Sequence, residues 1–152
     1  MKNINIRLAE LKDRDTLVNF NLALAKETEG QKLSKDVLEK GVEAVLKNSN
    51  LGFYLIAEKG NQIIGSLMIT NEWSDWRNGM FWWIQSVYVH PDFRRKGIYT
   101  KLYGHVKDLI SGKANVLGFR LYVEKKNVTA ITAYKSLGMK KTAYRLFEEI
   151  IE

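Results

Sequence analysis

The stretch "VYVHPDFRRKGIYTKLY", residues 87–103, decides the reading of the fold. Its first residues end an apolar run, "MFWWIQSVYV" from Met80, that reads as a strand. Its last residues open an amphipathic helix in which Ile98, Leu102, Val106, Leu109 and Ile110 share one face. Between them stand Pro91, three consecutive cations (Arg94, Arg95, Lys96) and Gly97. Like charges crowded at a strand-to-helix junction call for an anion. The first amides of a helix have no intrahelical partner, and the aligned peptide dipoles put roughly half a positive charge at that end. A phosphate fits there, meeting the amides from Arg95 to Thr100 and approaching at Gly97, where no Cβ intervenes. The pattern is neither a Walker A loop nor a three-glycine dinucleotide fingerprint.

Working outward, "INIRLA" alternates like a first strand, and "LKDRDTLVNFNLALAKETE" places Leu17, Val18, Leu22 and Ala25 on one helical face, with Asp13 as a candidate N-cap. After Gly30, Ser34 caps a second helix that gathers Val37, Leu38, Val42, Val45 and Leu46. "GFYLIAEKGNQIIGSLMITNEW" reads as a hairpin turning at Lys59–Gln62, and "SDWRNG" leads into the strand from Met80, giving a three-stranded antiparallel meander. The helix from Gly97 ends at Gly112. "NVLGFRLYVE" then reads as a buried strand, "NVTAITAYKSLG" as a short helix closed by Gly138, and "KKTAYRLFEEI" as a final strand. The order β-α-α-β-β-β-α-β-α-β, with a parallel strand–helix–strand crossover from Met80 to Glu124, predicts a mixed, mostly antiparallel sheet of six to seven strands flanked by four helices, an α/β (α+β) class.

The 152 residues suit a single domain, and 45% apolar residues with one proline support a real core. The absence of cysteine excludes disulfides and thiolate chemistry, and no run approaches the roughly 20 apolar residues needed to span a bilayer. The expected setting is cytoplasmic, away from membranes. The net charge of +7 is local: residues 1–89 balance 11 cations against 11 carboxylates, residues 90–145 carry 13 against 3, and the last seven carry three carboxylates alone. A polyanionic partner accounts for this, either a phosphorylated small molecule or nucleic acid. The aromatics do not interleave with the basic residues as a base-stacking platform requires, which counts against nucleic acid.

The junction resembles the central motif of the GNAT superfamily of acyl-CoA-dependent N-acyltransferases, whose pyrophosphate signature Q/R-x-x-G-x-G/A falls on Arg94, Arg95, Lys96, Gly97, Ile98 and Tyr99. Tyr99 stands where Gly or Ala is usual. A second segment, "NVTAITAYKSLGMKK", is similar to the family's N-x-x-A-x-x-x-Y-x-x-x-G-F pattern through Asn127, Ala130, Tyr134 and Gly138, with Met139 in place of Phe. The resemblance implies one N-acetyltransferase domain over residues 1–152, using acetyl-CoA as acyl donor and no metal. It implies that Val87, Tyr88 and Val89 present strand backbone to the pantetheine arm and that Arg94 to Thr100 hold the pyrophosphate. Asn127 contacts the cofactor from a strand end, and Tyr134 lies beside its sulfur.

Transfer to an amine needs a neutral nitrogen, stabilisation of the developing oxyanion and a proton for the leaving thiolate. Tyr134 is the candidate acid, since a phenol's pKa of about 10 is close to that of an alkyl thiol. Many relatives carry a carboxylate where this chain has Gln85 and Ser86, neither of which takes a proton at neutral pH. Gln85 through a water, Glu72, Asp75, Glu27 and Glu29 are the candidates for handling the amine's proton, and the main-chain N–H near Val87 is the candidate oxyanion donor. Of the four tryptophans in residues 73–83, Trp82 and Trp83 must face opposite sides of the sheet, and Trp82 joins Glu27, Glu72 and Gln85 as an expected acceptor contact. The acceptor is a primary amine of a small molecule or a peptide, and the chain is a monomer or a homodimer. A nucleic-acid- or ribosome-associated module and a non-catalytic acyl-CoA-binding domain are the alternatives.

Overall fold

A computed structural model describes residues 3–113 and 115–151. The chain divides into two compact units, Met1–Tyr122 and Val123–Glu152. The first holds a five-stranded sheet in the order β1-β2-β3-β4-β5: β1 (Ile4–Leu8), β2 (Phe53–Lys59), β3 (Gln62–Ser74), β4 (Gly79–Val89) and β5 (Val116–Arg120). Neighbours pair antiparallel except β4 and β5, which are parallel and joined through α3 (Ile98–Ile110). Between β1 and β2 run α1 (Arg14–Glu29) and α2 (Lys35–Lys47). The second unit contains α4 (Val128–Ser136) followed by residues without regular structure.

Local chemistry sets these boundaries. Gly30 ends α1 at φ +63°, a left-handed conformation that glycine adopts without Cβ strain. The Ser34 hydroxyl accepts from the Val37 amide at 3.5 Å and starts α2. Each sheet face buries a different helix set. Tyr54 and Ile56 pack with Leu17 and Val18 of α1 and Val42 of α2. On the other face, Gly65 admits α3: a Cβ there would come within 3.0 Å of Ile98 Cγ2. Leu17, Leu55, Ile56, Leu67, Ile69 and Leu102 are fully buried, each worth about 1.5–3 kcal/mol of transfer free energy.

The structure corrects four sequence expectations. The sheet has five strands, not six or seven, because residues 140–151 form no strand among the described residues and are exposed throughout. β5 covers only Val116–Arg120 of the expected "NVLGFRLYVE", since its pairing with β4 stops there. Val37 is 70% exposed, lying on the outer side of α2's first turn. Asp13 does occupy the N-cap position of α1, but its carboxylate serves another purpose. It accepts from both terminal nitrogens of Arg7, at 2.9 and 3.1 Å, and from the Glu10 amide at 2.7 Å, while Arg7 Nε reaches Glu58 at 3.1 Å. Among the described residues no helix is long and apolar enough to cross a membrane.

This cluster makes stability acid-sensitive. Burial alone would raise the Asp13 carboxyl, yet the hydrogen bonds from Arg7 and the Glu10 amide outweigh it and hold the group below the usual range; Arg7 does the same for Glu58. Both folded-state values lie below the unfolded values of about 4, so their contribution is complete above that pH and lost as pH falls through the folded values. Urea unfolding free energy should therefore be flat from neutrality to about pH 4.5 and fall below it, and Asp13→Asn should flatten the fall while lowering the plateau.

Candidate functional site

β4 is flanked on both sides over only four of its eleven residues. Its ladder with β3 runs from Ser74↔Gly79 to Gly65↔Val89, whereas its ladder with β5 runs only from Met80↔Val116 to Trp83↔Arg120. From Ile84 to Val89 one backbone edge therefore has no strand beside it among the described residues. The same segment carries a β-bulge: Gln85 faces Met68 and Tyr88 faces Ser66, so Ser86 and Val87 together oppose only Leu67. Ser86 sits at φ +54°, which few non-glycine residues adopt. The extra residue changes the alternation, bringing Gln85 and Tyr88, three apart, onto the face covered by α1. There the Tyr88 ring lies 4.8 Å from that of Phe20.

β4 then runs into the cationic turn. His90 Nδ1 accepts from the Asp92 amide at 3.1 Å, and Pro91 leads a single 3-10 turn. Arg95 (φ +62°) and Gly97 (φ +77°) are left-handed on either side of Lys96, and α3's first backbone bond runs from the Lys101 amide to the Gly97 carbonyl at 3.0 Å. The amides of Arg95, Lys96 and Gly97 thus precede the helical ladder, and alternating handedness of this kind builds an anion-binding concavity. A Cβ on Gly97 would meet no atom within 4 Å, so conformation, not crowding, demands glycine there. Tyr99 stacks its ring on Tyr103 one turn along the helix, with centroids 6.0 Å apart and planes inclined at 13°.

Arg94 does something that the phosphate reading did not anticipate. Its Nε donates to the Val89 carbonyl at 2.8 Å, its Nη2 spans both Glu27 oxygens at 3.1 and 3.2 Å, and its guanidinium lies 5.3 Å from the Tyr88 ring centroid. It ties the last turn of α1 to the end of β4, which leaves Arg95 and Lys96 as the cations of the turn with no carboxylate partner among the described residues. Burial, then the charge of Glu27, raises the Tyr88 phenol above its ordinary value.

A second polar group stands further back on the face that holds Gln85. Glu72 accepts from the Trp83 indole at 2.8 Å and from Arg120 Nη1 at 3.0 and 3.2 Å, and Arg120 lies 3.8 Å from the Phe81 ring centroid. The indole, then Arg120, holds the Glu72 carboxyl below its usual range, so it is ionised and engaged near neutrality, a poor proton acceptor. Gln85 Nε2 donates to Thr70 Oγ1 at 3.0 Å. The structure thus brings Glu72 and Gln85 onto one face and places Glu27 beside Tyr88 and Arg94. Trp82 is on the opposite face, buried edge-on against Phe53 at 5.5 Å; Trp83 is the tryptophan that accompanies Gln85 and Glu72. Arg120 escaped the sequence reading although a lone cation in the apolar run "NVLGFRLYVE" marks it. The φ of Ser86 left no signal.

In the second unit, Asn127 caps α4, its Oδ1 accepting from the Ala130 amide at 3.2 Å. It stands at a helix start seven residues past the end of β5, not at a strand end. Tyr134 lies on α4, partly buried, and burial raises its phenol above the ordinary value. Gly138, at φ +99°, follows the helix.

Residues 13–139 match the model of the Acetyltransferase (GNAT) family. No curated protein matches the sequence. Among solved structures, a possible acetyltransferase from Clostridium difficile 630 superposes with a TM-score of 0.91 at 46% identity, covering 99% of this chain and 100% of its own. A predicted acetyltransferase with acetyl-CoA from Clostridium acetobutylicum gives 0.78 at 25% identity, covering 96% of each chain.

The turn's geometry has a direct test. Gly97→Ala, which meets no clash, should cost about 1–2 kcal/mol through left-handed backbone strain alone, and Gly97→Asn should cost less, both read as shifts of the urea midpoint. Equal losses for the two variants would mean that φ is not what glycine supplies.

Proposed function

The chain belongs to the GNAT family of acetyltransferases, and on that premise we propose that it transfers an acetyl group from acetyl-CoA to a primary amine of a small molecule or peptide, as one acetyltransferase domain. The observation that carries this reading is the one-sided stretch of β4, Ile84 to Val89, running straight into the turn formed by Arg95, Lys96 and Gly97. A strand edge that faces no other strand, with only its Val89 carbonyl taken by Arg94, suits the amides of a pantetheine arm, and the turn suits a pyrophosphate. The acetyl-CoA named with the Clostridium acetobutylicum relative supports the same donor.

Acetyl-CoA supplies the activated acetyl thioester. Val87, Tyr88 and Val89 hold the pantetheine arm through main-chain groups, and the amides from Arg95 to Thr100, with the Arg95 and Lys96 side chains, hold the pyrophosphate. Arg94 acts differently, fixing the turn to α1. The Val87 N–H, in the bulge opposite Leu67, donates to the thioester oxygen as negative charge gathers there. Tyr134 gives its Oη proton to the departing sulfur, and Asn127 keeps α4 in place. With Glu72 engaged by Trp83 and Arg120, the amine's proton passes to a water that donates a hydrogen bond to Gln85 Oε1, Nε2 being bound to Thr70, and from that water to bulk solvent. Glu27, at the end of α1, borders the acceptor.

Acetyl-CoA at a hundred times its Kd should stabilise the protein by about 2.7 kcal/mol and raise Tm by roughly 5–10 °C; no shift would sink the donor assignment. An acceptor panel of polyamines, amino acids, aminoglycosides and peptide N-termini, followed by thiol release, identifies the amine class. Tyr134→Phe should lower kcat by roughly a hundred-fold with little change in acetyl-CoA Kd. Because the phenol must keep its proton to act and burial raises it, kcat/KM in the intact protein should climb as the amine deprotonates and show no decline from Tyr134 below about pH 10.

A further inference from the structure

The link between β4 and the cationic turn is closed almost entirely by its own backbone. The His90 amide still pairs with the Ile64 carbonyl of β3 at 2.8 Å, the Phe93 amide reaches the His90 carbonyl at 2.9 Å, and the Arg94 amide reaches the Pro91 carbonyl at 3.4 Å. Pro91 itself has no N–H. The Asp92 amide is the exception, because a side chain takes it: it donates to His90 Nδ1 at 3.1 Å. That ring stands edge-on to Phe93, with centroids 5.8 Å apart and planes inclined at 71°. A cap of this kind fixes the turn it closes, and this one ends where Arg94 gives way to the left-handed Arg95.

Accepting at Nδ1 requires a lone pair there, so the ring is neutral and carries its proton on Nε2. A second proton makes Nδ1 a donor facing another donor. The same atom lies 3.9 Å from Asp92 Oδ2, so an imidazolium has a different partner at hand, one that draws the ring off the amide. The other charges near the ring act across Phe93, whose centroid lies 5.8 Å from Lys59 Nζ at the end of β2 and 5.6 Å from Lys96 Nζ. Both lysines oppose a further positive charge, whereas Asp92 favours it.

We propose that His90 is a positioning residue for the anion-binding turn. Its neutral ring holds the amides of Arg95, Lys96 and Gly97 in the arrangement that receives a pyrophosphate, and its protonation loosens them. Donor affinity therefore falls as the pH drops through the range in which imidazoles gain a proton. The inference rests on acetyl-CoA being the donor. Its sign separates it from direct recognition, since an imidazolium touching the phosphates would tighten binding in acid.

The test is acetyl-CoA Kd by calorimetry between about pH 5.5 and 8.5 for the unaltered protein, His90→Asn and His90→Ala. Asparagine supplies a cap acceptor that does not titrate in this range. Near pH 8 the asparagine variant should bind within about twofold of the unaltered protein and the alanine variant roughly fivefold more weakly, the loss of one capping bond. In acid the unaltered protein should approach the alanine variant while the asparagine variant does not. Phosphate monoesters titrate in the same range, so the quantity read is the ratio of the unaltered protein to His90→Asn at each pH, in which the ligand's contribution cancels. The turn is also read without ligand. The chain has two histidines, so 15N spectra with His105→Gln assign His90, which should carry its proton on Nε2 near pH 8, and the Asp92 amide should shift as the ring titrates. Should the alanine variant fail to fold, the asparagine ratio and these spectra still decide. An Nδ1–H tautomer, an Asp92 amide that ignores the titration, equal losses for the two variants, or a ratio that is flat or inverted with pH would each overturn the proposal. If acetyl-CoA binds no form of the protein, the donor assignment falls and the pH effect on affinity with it, while the tautomer and the Asp92 amide decide whether His90 holds the turn.

Discussion

One inserted residue governs how β4 can be used. If β4 kept perfect register with β3, Gln85 and Tyr88 would lie on opposite faces, and Tyr88 would point toward α3. The bulge at Ser86 and Val87 opposite Leu67 places Tyr88 against Phe20 of α1 instead, where its ring also meets Arg94. It achieves this at a left-handed Ser86, a conformation that a serine tolerates only when its surroundings hold it. Leu67, fully buried, and the regular ladders on either side of the bulge supply that hold. Bulges next to strand ends re-aim side chains and interrupt pairing, and here the bulge falls within the stretch where β4 has already lost β5.

Around this stretch, carboxylates and arginines are matched so that little charge is left unassigned. Glu27 takes Arg94, and Glu72 takes Arg120 together with the Trp83 indole. The Glu27–Arg94 pair is exposed on both sides and adds little stability by itself. Its value is positional: with the Arg94 Nε bond to Val89, it fastens α1 to the strand that leads into the turn. The basic half of the sequence is therefore not a uniform cationic surface. Two of its arginines are neutralised where they stand, and Arg95 and Lys96 remain without a carboxylate partner among the described residues, in a turn whose backbone already favours an anion.

Much of the fold was legible because the chain signals it locally. Alternation gave the β2–β3–β4 meander, helical spacing gave four helices, and Gly30, Ser34 and Gly97 marked boundaries with the chemistry that places them there. The family was legible as well, through the Arg94–Tyr99 and Asn127–Gly138 patterns. Roles assigned to single side chains were harder to read. Trp82 and Trp83 are neighbours with the same chemistry, and only the sheet's pairing shows that Trp83 shares a face with Gln85 and Glu72. Arg94 fits the phosphate signature by position, yet its guanidinium bonds to Glu27, 67 residues away in the chain.

The sequence by itself determined the class of the fold, the strand-to-helix junction and the local concentration of positive charge, because periodicity, capping and composition act over a few residues. Tertiary structure alone decided where β4 and β5 part, which residue bulges, and which partners engage Arg94 and Glu72, because each depends on the register between segments distant in sequence. The final segment shows the boundary between the two. Its residues alternate as a strand would, yet residues 140–151 form none among the described residues, because strand pairing needs an edge that no local signal in "TAYRLFEEII" supplies.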